Sequence, residues 1–152
     1  MHRIPVHTIM TSPTITINPE ALTADAATLM EENNIRRLPV VDEDGCLLGI
    51  VTDSDILEAE TAETVLSSYE PGIEEEWLEV KDVMTRDTIT IGPDYTVGEL
   101  AIRFMENKVG GVPVVEPLGP DKTEPCPMKV IGIVTETDIF RLIAEAWRSE
   151  QP

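Results

Sequence analysis

The heptapeptide GIVTDSD at residues 49–55 returns as GIVTETD at residues 132–138. Each copy is an apolar run followed by Thr and then an acidic residue three positions on. That is the pattern of a short strand running directly into a helix N-terminus. Upstream, the correspondence continues at a constant offset of 74. Val6, Met10, Thr11, Thr14, Ile15, Thr16, Ile17 and Pro19 recur as Val80, Met84, Thr85, Thr88, Ile89, Thr90, Ile91 and Pro93, and Pro39-Val40-Val41 recurs as Pro113-Val114-Val115. At the heptapeptide the offset becomes 83, so nine extra residues lie in the second copy, within PLGPDKTEPCPMK at 117–129. The chain is a duplicated unit.

Periodicity assigns the elements of each copy. TITI at 14–17 and at 88–91 alternates with β-branched residues, as a short strand does. Leu22, Ala26, Leu29 and Met30, and correspondingly Val97, Leu100, Ala101, Phe104 and Met105, follow helical spacing and read as core. Thr96 with Glu99 three residues on forms a capping box for the second of these helices; the first has Leu22 at that place, so its cap comes from Thr23 or elsewhere. Residues 38–41, 42–45 and 46–51 read as strand, turn and returning strand, and residues 53–59 and 136–147 as helices. The unit order is strand, helix, strand, strand, helix, an α/β chain of the α+β type. Repeat 1 spans residues 1–60, an acidic linker 61–79 and repeat 2 residues 80–152. Each repeat is too small to bury much core alone, so the pair is expected to pack as one module. The proline-rich insert at 117–129 reads as a surface loop, solvated or acting as a lid.

Composition limits the function classes. Of 152 residues 41% are apolar, enough for a core, and 29 acidic against 11 basic residues give a net charge of −18. Such a field repels phosphate backbones and anionic lipid, which argues against nucleic acid and membrane surfaces as partners. No run is long and apolar enough for a membrane span and the N-terminus lacks a signal-peptide core, so the expected location is cytoplasmic. Cys46 and Cys126 lie far apart without metal-ligand spacing and read as lone structural thiols. No nucleophile elbow, P-loop or dinucleotide-binding glycine motif occurs, and no catalytic or metal-binding residues are assigned. Trp77 and Trp147 read as packing residues or as dimer contacts.

The repeated Thr-x-x-Asp carries the chemistry. At a helix start, unpaired backbone N–H groups and the positive dipole end face outward. The pairs Thr52/Asp55 and Thr135/Asp138 either cap their helices and nothing more, or offer a carboxylate to vicinal hydroxyls such as those of ribose. Both readings are open on spacing alone.

The openings VHTIMT and VKDVMT, the segments RRLPVVDEDG and GGVPVVE, and the paired GIVT motifs, in this order twice, resemble a tandem pair of cystathionine-β-synthase-type (CBS) domains, the Bateman module. The resemblance covers residues 6–147 and implies two pseudo-twofold-related repeats with two clefts for adenosine ligands: AMP, ADP, ATP or S-adenosyl compounds. It also implies a regulatory role, a homodimer and a regulated protein partner. Residue by residue, it implies one site from Thr135 and Asp138 with Pro13, Thr14, Ile15, Ile35, Arg36 and Arg37. The other takes Thr52 and Asp55 with Asp87, Thr88, Ile89, Val109, Gly110 and Gly111. Arg36 and Arg37 make the first set the one suited to phosphate, whereas the second has glycines there and only Lys108 nearby. The alternative is a scaffold protein whose clefts are vestigial.

Overall fold

The computed structural model describes residues 1–69, 78–117 and 128–151. Along the chain the elements are α1 (Val6–Ile9), α2 (Thr23–Asn33), β1 (Arg37–Val41), β2 (Leu47–Thr52), α3 (Asp53–Tyr69), α4 (Val80–Val83), α5 (Val97–Asn107), β3 (Gly111–Pro117), β4 (Met128–Thr135) and α6 (Glu136–Glu150). They form two compact units, an inner one, Ile15–Thr88, and an outer one made of Met1–Thr14 with Ile89–Pro152. The mixture of helices and antiparallel hairpins is the α+β class expected. The middle of the acidic linker, the body of the 117–129 insert, Trp77 and Cys126 lie outside the described residues.

Each unit is built on a two-stranded antiparallel sheet, β1–β2 in the inner and β3–β4 in the outer. Both have an irregularity at the same place, between Val40 and Val41 and between Val114 and Val115. The inner turn closes as expected. Asp42 Oδ1 accepts from the Asp44 and Cys46 N–H groups at 2.9 and 3.0 Å, and Gly45 takes φ 83°, which favours glycine.

The strands expected at 14–17 and 88–91 reduce to single bridges, Ile17 beside Val40 and Ile91 beside Val114, both parallel. Ile17 N–H donates to the Pro39 carbonyl and Val41 N–H to the Ile17 carbonyl, and Ile91 repeats this with Pro113 and Val115. The next rung would need an N–H from Pro39 or Pro113, which proline lacks. Alternating β-branched residues extend the chain there, but the ladder has no donor with which to continue.

The helices bury the expected stripes with two corrections. Ala26 and Met30 are buried in the inner core beside Leu38, Val40, Val51 and Ile56, and Leu100 and Phe104 in the outer core beside Val112, Val114 and Val134. Leu22 and Met105 are exposed, Met105 by 79%. Leu22 is the N-cap residue of α2, outside the helical turns, and Met105 lies one position past Phe104, off the stripe that faces the sheet. Helices α3 and α6 begin where expected and run past the expected ends. Trp147 is 64% exposed, so it is not a packing residue. Cys46 is buried and disulfide-bonded, which overturns its reading as a lone thiol.

Helix entry shows how each unit is assembled. Thr96 Oγ1 accepts the Glu99 N–H at 3.2 Å, which is the expected cap, but it is the Thr96 hydroxyl that donates back to Glu99 Oε1, at 3.1 Å, in place of the backbone N–H of a full capping box. Leu22 offers no side-chain cap; instead Thr23 N–H donates to the Leu78 carbonyl at 2.9 Å. In the outer unit Val97 and Gly98 N–H donate to the Ile4 and His2 carbonyls, both at 2.8 Å. The orphan donors of α2 and α5 are therefore satisfied by the stretches that lead into α4 and α1. Those two short helices insert Val80 and Val6, both fully buried, into the inner and outer cores.

The segment following each short helix then pairs with the heptapeptide strand. Thr85 and Ile50 exchange both backbone hydrogen bonds at 2.9 Å, and Thr11 and Ile133 do the same at 2.8 and 3.0 Å. This approach is possible because the strand residue beside each is glycine. A Cβ on Gly49 would meet the Thr85 carbonyl oxygen at 2.5 Å, and one on Gly132 would meet Met10 Sδ at 2.7 Å and the Thr11 carbonyl oxygen at 2.9 Å. Gly49→Ala and Gly132→Ala are each expected to lower stability by about 1–3 kcal/mol in urea denaturation; an unchanged midpoint for both would show that the pairing yields freely.

Candidate functional site

The two β–α junctions hold the Thr–Asp pairs in matching geometry. In the inner unit Thr52 N–H donates to Asp55 Oδ2 at 2.9 Å and Asp55 N–H to Thr52 Oγ1 at 3.2 Å. In the outer unit Thr135 N–H donates to Asp138 Oδ2 at 2.8 Å, and the Asp138 N–H completes the box by donating to the Thr135 side chain. The capping reading is thus realised in both repeats. A carboxylate has two oxygens, however, and the box uses only Oδ2.

The residues preceding β1 and β3 form the lip of each junction. Arg37 lies opposite Thr52 in the β1–β2 register and Gly111 opposite Thr135 in β3–β4. Asp53 N–H donates to the Arg36 carbonyl at 2.9 Å, and Glu136 N–H to the Gly110 carbonyl at 3.0 Å. In the inner unit Ser54 N–H donates to Asp53 Oδ1 at 2.9 Å. The first three donors of α3 are therefore occupied, contrary to the expectation of unpaired N–H groups there. The dipole remains, but hydrogen bonds to an anion at this junction must come from side chains.

The structure gathers Thr52, Asp55, Ile35, Arg36 and Arg37 at the inner junction and Thr135, Asp138, Val109, Gly110 and Gly111 at the outer one. Arg36 is exposed and Arg37 half-buried. Ile15 packs against the inner core and Ile89 against the outer. Pro13, after a cis peptide from Ser12, is exposed, as is Asp87; Thr14 and Thr88 are half-buried, and Thr88 Oγ1 donates to the Thr85 carbonyl at 3.3 Å. Each expected set draws on residues of both units. Among the described residues no cluster of His, Cys, Asp and Glu suits a metal ion, and no helix is long and apolar enough to cross a membrane.

The junctions differ in two ways. At the lip, the inner one has two guanidinium groups where the outer has two glycines; a Cβ on Gly110 would sit 3.3 Å from the Glu136 carboxyl carbon, so any side chain there crowds that carboxylate. At the carboxylate, Asp138 is 8% exposed and its Oδ1 pairs with Arg141 Nη1 at 3.5 Å. Asp55 Oδ1 accepts no hydrogen bond among the described residues, and the position matching Arg141 is Glu58. Arg141 was not singled out from sequence, although an Asp followed three residues later by Arg on one helix is a readable pair. Asp138→Ala is expected to cost about 1–2 kcal/mol as a lost cap. Arg141→Ala, which removes an exposed partner, should cost less than about 1 kcal/mol. Urea denaturation of both variants checks this order, and the reverse order would make the ion pair rather than the cap the stabilising element.

Comparison with known proteins bears on what such junctions serve. The CBS domain family profile matches residues 6–62 and 80–145. L-aspartate semialdehyde sulfurtransferase of Methanocaldococcus jannaschii is 36% identical over 137 residues, which cover 90% of this chain and 23% of that protein. The chain thus spans about a quarter of that relative's length. A CBS domain-containing protein of Dictyostelium discoideum is 30% identical over 151 residues, covering 99% of this chain and 98% of its own. Among solved structures, the CBS domain pair of protein MJ0100 in complex with 5′-methylthioadenosine and S-adenosyl-L-methionine superposes with a TM-score of 0.73 at 32% identity, covering 93% of this chain and 97% of that one. CBSX2 in complex with AMP gives a TM-score of 0.72 at 25% identity, covering 94% and 98%.

Proposed function

Because the chain belongs to the CBS domain family, we propose that it is a regulatory module that binds adenosine-containing ligands and passes the bound state to a partner protein. The ligands are AMP, ADP, ATP or S-adenosyl compounds. The same proposal takes its role to be regulatory rather than catalytic, its setting to be cytoplasmic, its assembly to be a pair of identical chains, and its partners to exclude nucleic acid and membranes. The carrying observation is the duplicated β–α junction, where Thr52/Asp55 and Thr135/Asp138 hold a carboxylate in the same pose beside lips of opposite chemistry. The solved relatives add support, since AMP, S-adenosyl-L-methionine and 5′-methylthioadenosine share adenosine and its ribose diol.

Arg36 and Arg37 carry phosphate recognition in this reading. A charge-assisted hydrogen bond contributes about 1.5–3 kcal/mol. Salt screens those charges of the −18 surface that lie beyond about 8 Å, while Glu31, Asp53 and Glu60, which line one cleft with Arg36, act at closer range. Gly110 and Gly111, with Asp87 in the same expected set, suit a less charged adenosyl compound or weak binding. Arg37→Ala is expected to weaken binding of AMP, ADP and ATP by about 10- to 100-fold in isothermal titration calorimetry. Equal affinities in the parent and variant would sink the assignment.

The second reading, a scaffold with vestigial clefts, draws on the full engagement of Asp138, whose two oxygens are taken by the cap and Arg141. Thermal denaturation separates the two readings. A bound nucleotide at 100 times its Kd should add about 2.7 kcal/mol, whereas a scaffold gives no shift with any adenosine compound.

A further inference from the structure

One further pair of repeat-equivalent residues separates the two expected site sets. Arg141, three residues after Asp138 on α6, pairs through Nη1 with Asp138 Oδ1 at 3.5 Å. That is longer than a good hydrogen bond, so Arg141 supplies charge beside Oδ1 and leaves the oxygen able to accept from a hydroxyl. At the equivalent place on α3, three residues after Asp55, stands the exposed Glu58. The caps hold both carboxylates alike; what differs is the charge one helical turn further on. With this position included, every charge difference between the sets runs the same way. Pro13, Arg36, Arg37 and Arg141 accompany Thr135 and Asp138, whereas Asp87, Gly110, Gly111 and Glu58 accompany Thr52 and Asp55. These equivalent positions bring three positive charges to the first set and two negative charges to the second. Asp53 and Glu136, which open the two helices, are acidic alike, and Lys108, which ends α5 where α2 ends on Asn34, leaves the second set still negative.

We propose that Arg141 and Glu58 sort adenosine ligands by charge. Arg141 selects a phosphorylated adenosine at the Thr135/Asp138 set, and Glu58 selects one that carries a positive charge, the sulfonium of an S-adenosyl compound, at the Thr52/Asp55 set. This selection rests on the adenosine-ligand reading above and adds to it the sign of charge that each set accepts and two residues, named in neither set, that decide it. A 5′-phosphate and a 5′-sulfonium hang from the same carbon of the ribose. With the diol on the aspartate, either charge therefore lies at a similar distance from the residue one turn on. Asp55 beside Glu58 repels phosphate and attracts a sulfonium, and Asp87 acts in the same sense. Arg141 offsets the charge of Asp138, so the carboxylate that takes the diol does not repel the phosphate that Arg36 and Arg37 receive. Both deciding side chains are exposed, Arg141 by 63%. Water and salt screen them, and the selection amounts to about three- to fivefold at each set.

Isothermal titration calorimetry on the full chain tests this with two matched pairs of ligands, and circular dichroism confirms that each variant is folded. One pair is AMP against adenosine. The other is S-adenosyl-L-methionine against S-adenosyl-L-homocysteine, which lacks the sulfonium methyl and its charge. Arg141→Gln is expected to lower the preference for AMP over adenosine by about three- to fivefold and to leave the second pair within about twofold of the parent, with Arg141→Lys retaining the parent ratio. Glu58→Gln should lower the preference for S-adenosyl-L-methionine over S-adenosyl-L-homocysteine by about the same factor and leave the first pair unmoved, with Glu58→Asp retaining the parent ratio. A purely structural role for either residue would move both members of a pair together and leave their ratio unchanged. If adenosine binds but either ratio fails to respond to its own residue, the adenosine reading stands and the sorting falls. A response of both ratios to one substitution also overturns it, since net charge rather than position would then decide. A parent chain that binds none of these compounds removes the reading and the sorting together.

Discussion

At two points in this molecule a backbone carbonyl occupies the space that a side chain would fill, and the rest of the fold depends on it. The Thr85 carbonyl lies against Gly49 and the Thr11 carbonyl against Gly132, each locked by a reciprocal pair of backbone hydrogen bonds to the adjacent isoleucine. With that seam closed, the short helix before it must lie over the hairpin, so Val80 and Val6 reach the cores. The stretch before the short helix then reaches the N-terminus of α2 or α5 and satisfies donors that no side chain caps. Strand β2 or β4, held on both edges by backbone, delivers Thr52 or Thr135 to the start of its helix in a fixed pose.

Much of this is written locally and could be read. The hairpins follow from β-branched runs around a turn whose Asp42 and Gly45 have the right chemistry, and Thr96 announces its own cap. The lost third strand was also encoded, in Pro39 and Pro113, but one strand's missing donors matter only when its parallel neighbour is known. Leu22 and Met105 sit at the margins of helical stripes, where spacing alone does not separate the core face from its edge. The pairing of residues 1–14 with 89–152 left no local trace, because a repeat read by offset groups residues by similarity and not by contact. At the junctions, the Thr–Asp pairs were legible as a box. The occupation of the α3 donors by Arg36 and Asp53 was not, since it depends on where a carbonyl from the preceding strand ends up.

Duplication made two junctions with the same skeleton, and substitution then separated their chemistry. The skeleton is backbone to backbone, so it tolerates a change from Arg36 to Gly110 at equivalent positions while Asp53 and Glu136 keep the same partner carbonyl. Side chains at the lip and on the helix surfaces are free to diverge. The inner repeat accumulated acid, and the outer one exposed aromatic residues. The net charge of −18 is therefore an average over dissimilar parts. Arg36 and Arg37 are two of the four basic residues in the more acidic unit, and Arg36 lines one cleft together with the carboxylates of Glu31, Asp53 and Glu60.

The outer unit is stitched from the two ends of the described chain, and this has a consequence for how the protein is made. During synthesis residues 15–88 emerge together and hold every segment of the inner core, so that unit can close early. Residues 1–14 are made before the rest of the outer unit, yet their partners, Ile133 and the N-terminus of α5, come far later. Until then Val6 and Ile9 are apolar surface without a place to go, and closing the outer unit is a long-range event of the slow kind. Residues 1–14 thus emerge ahead of the unit they complete and find their seat only when its other segments arrive.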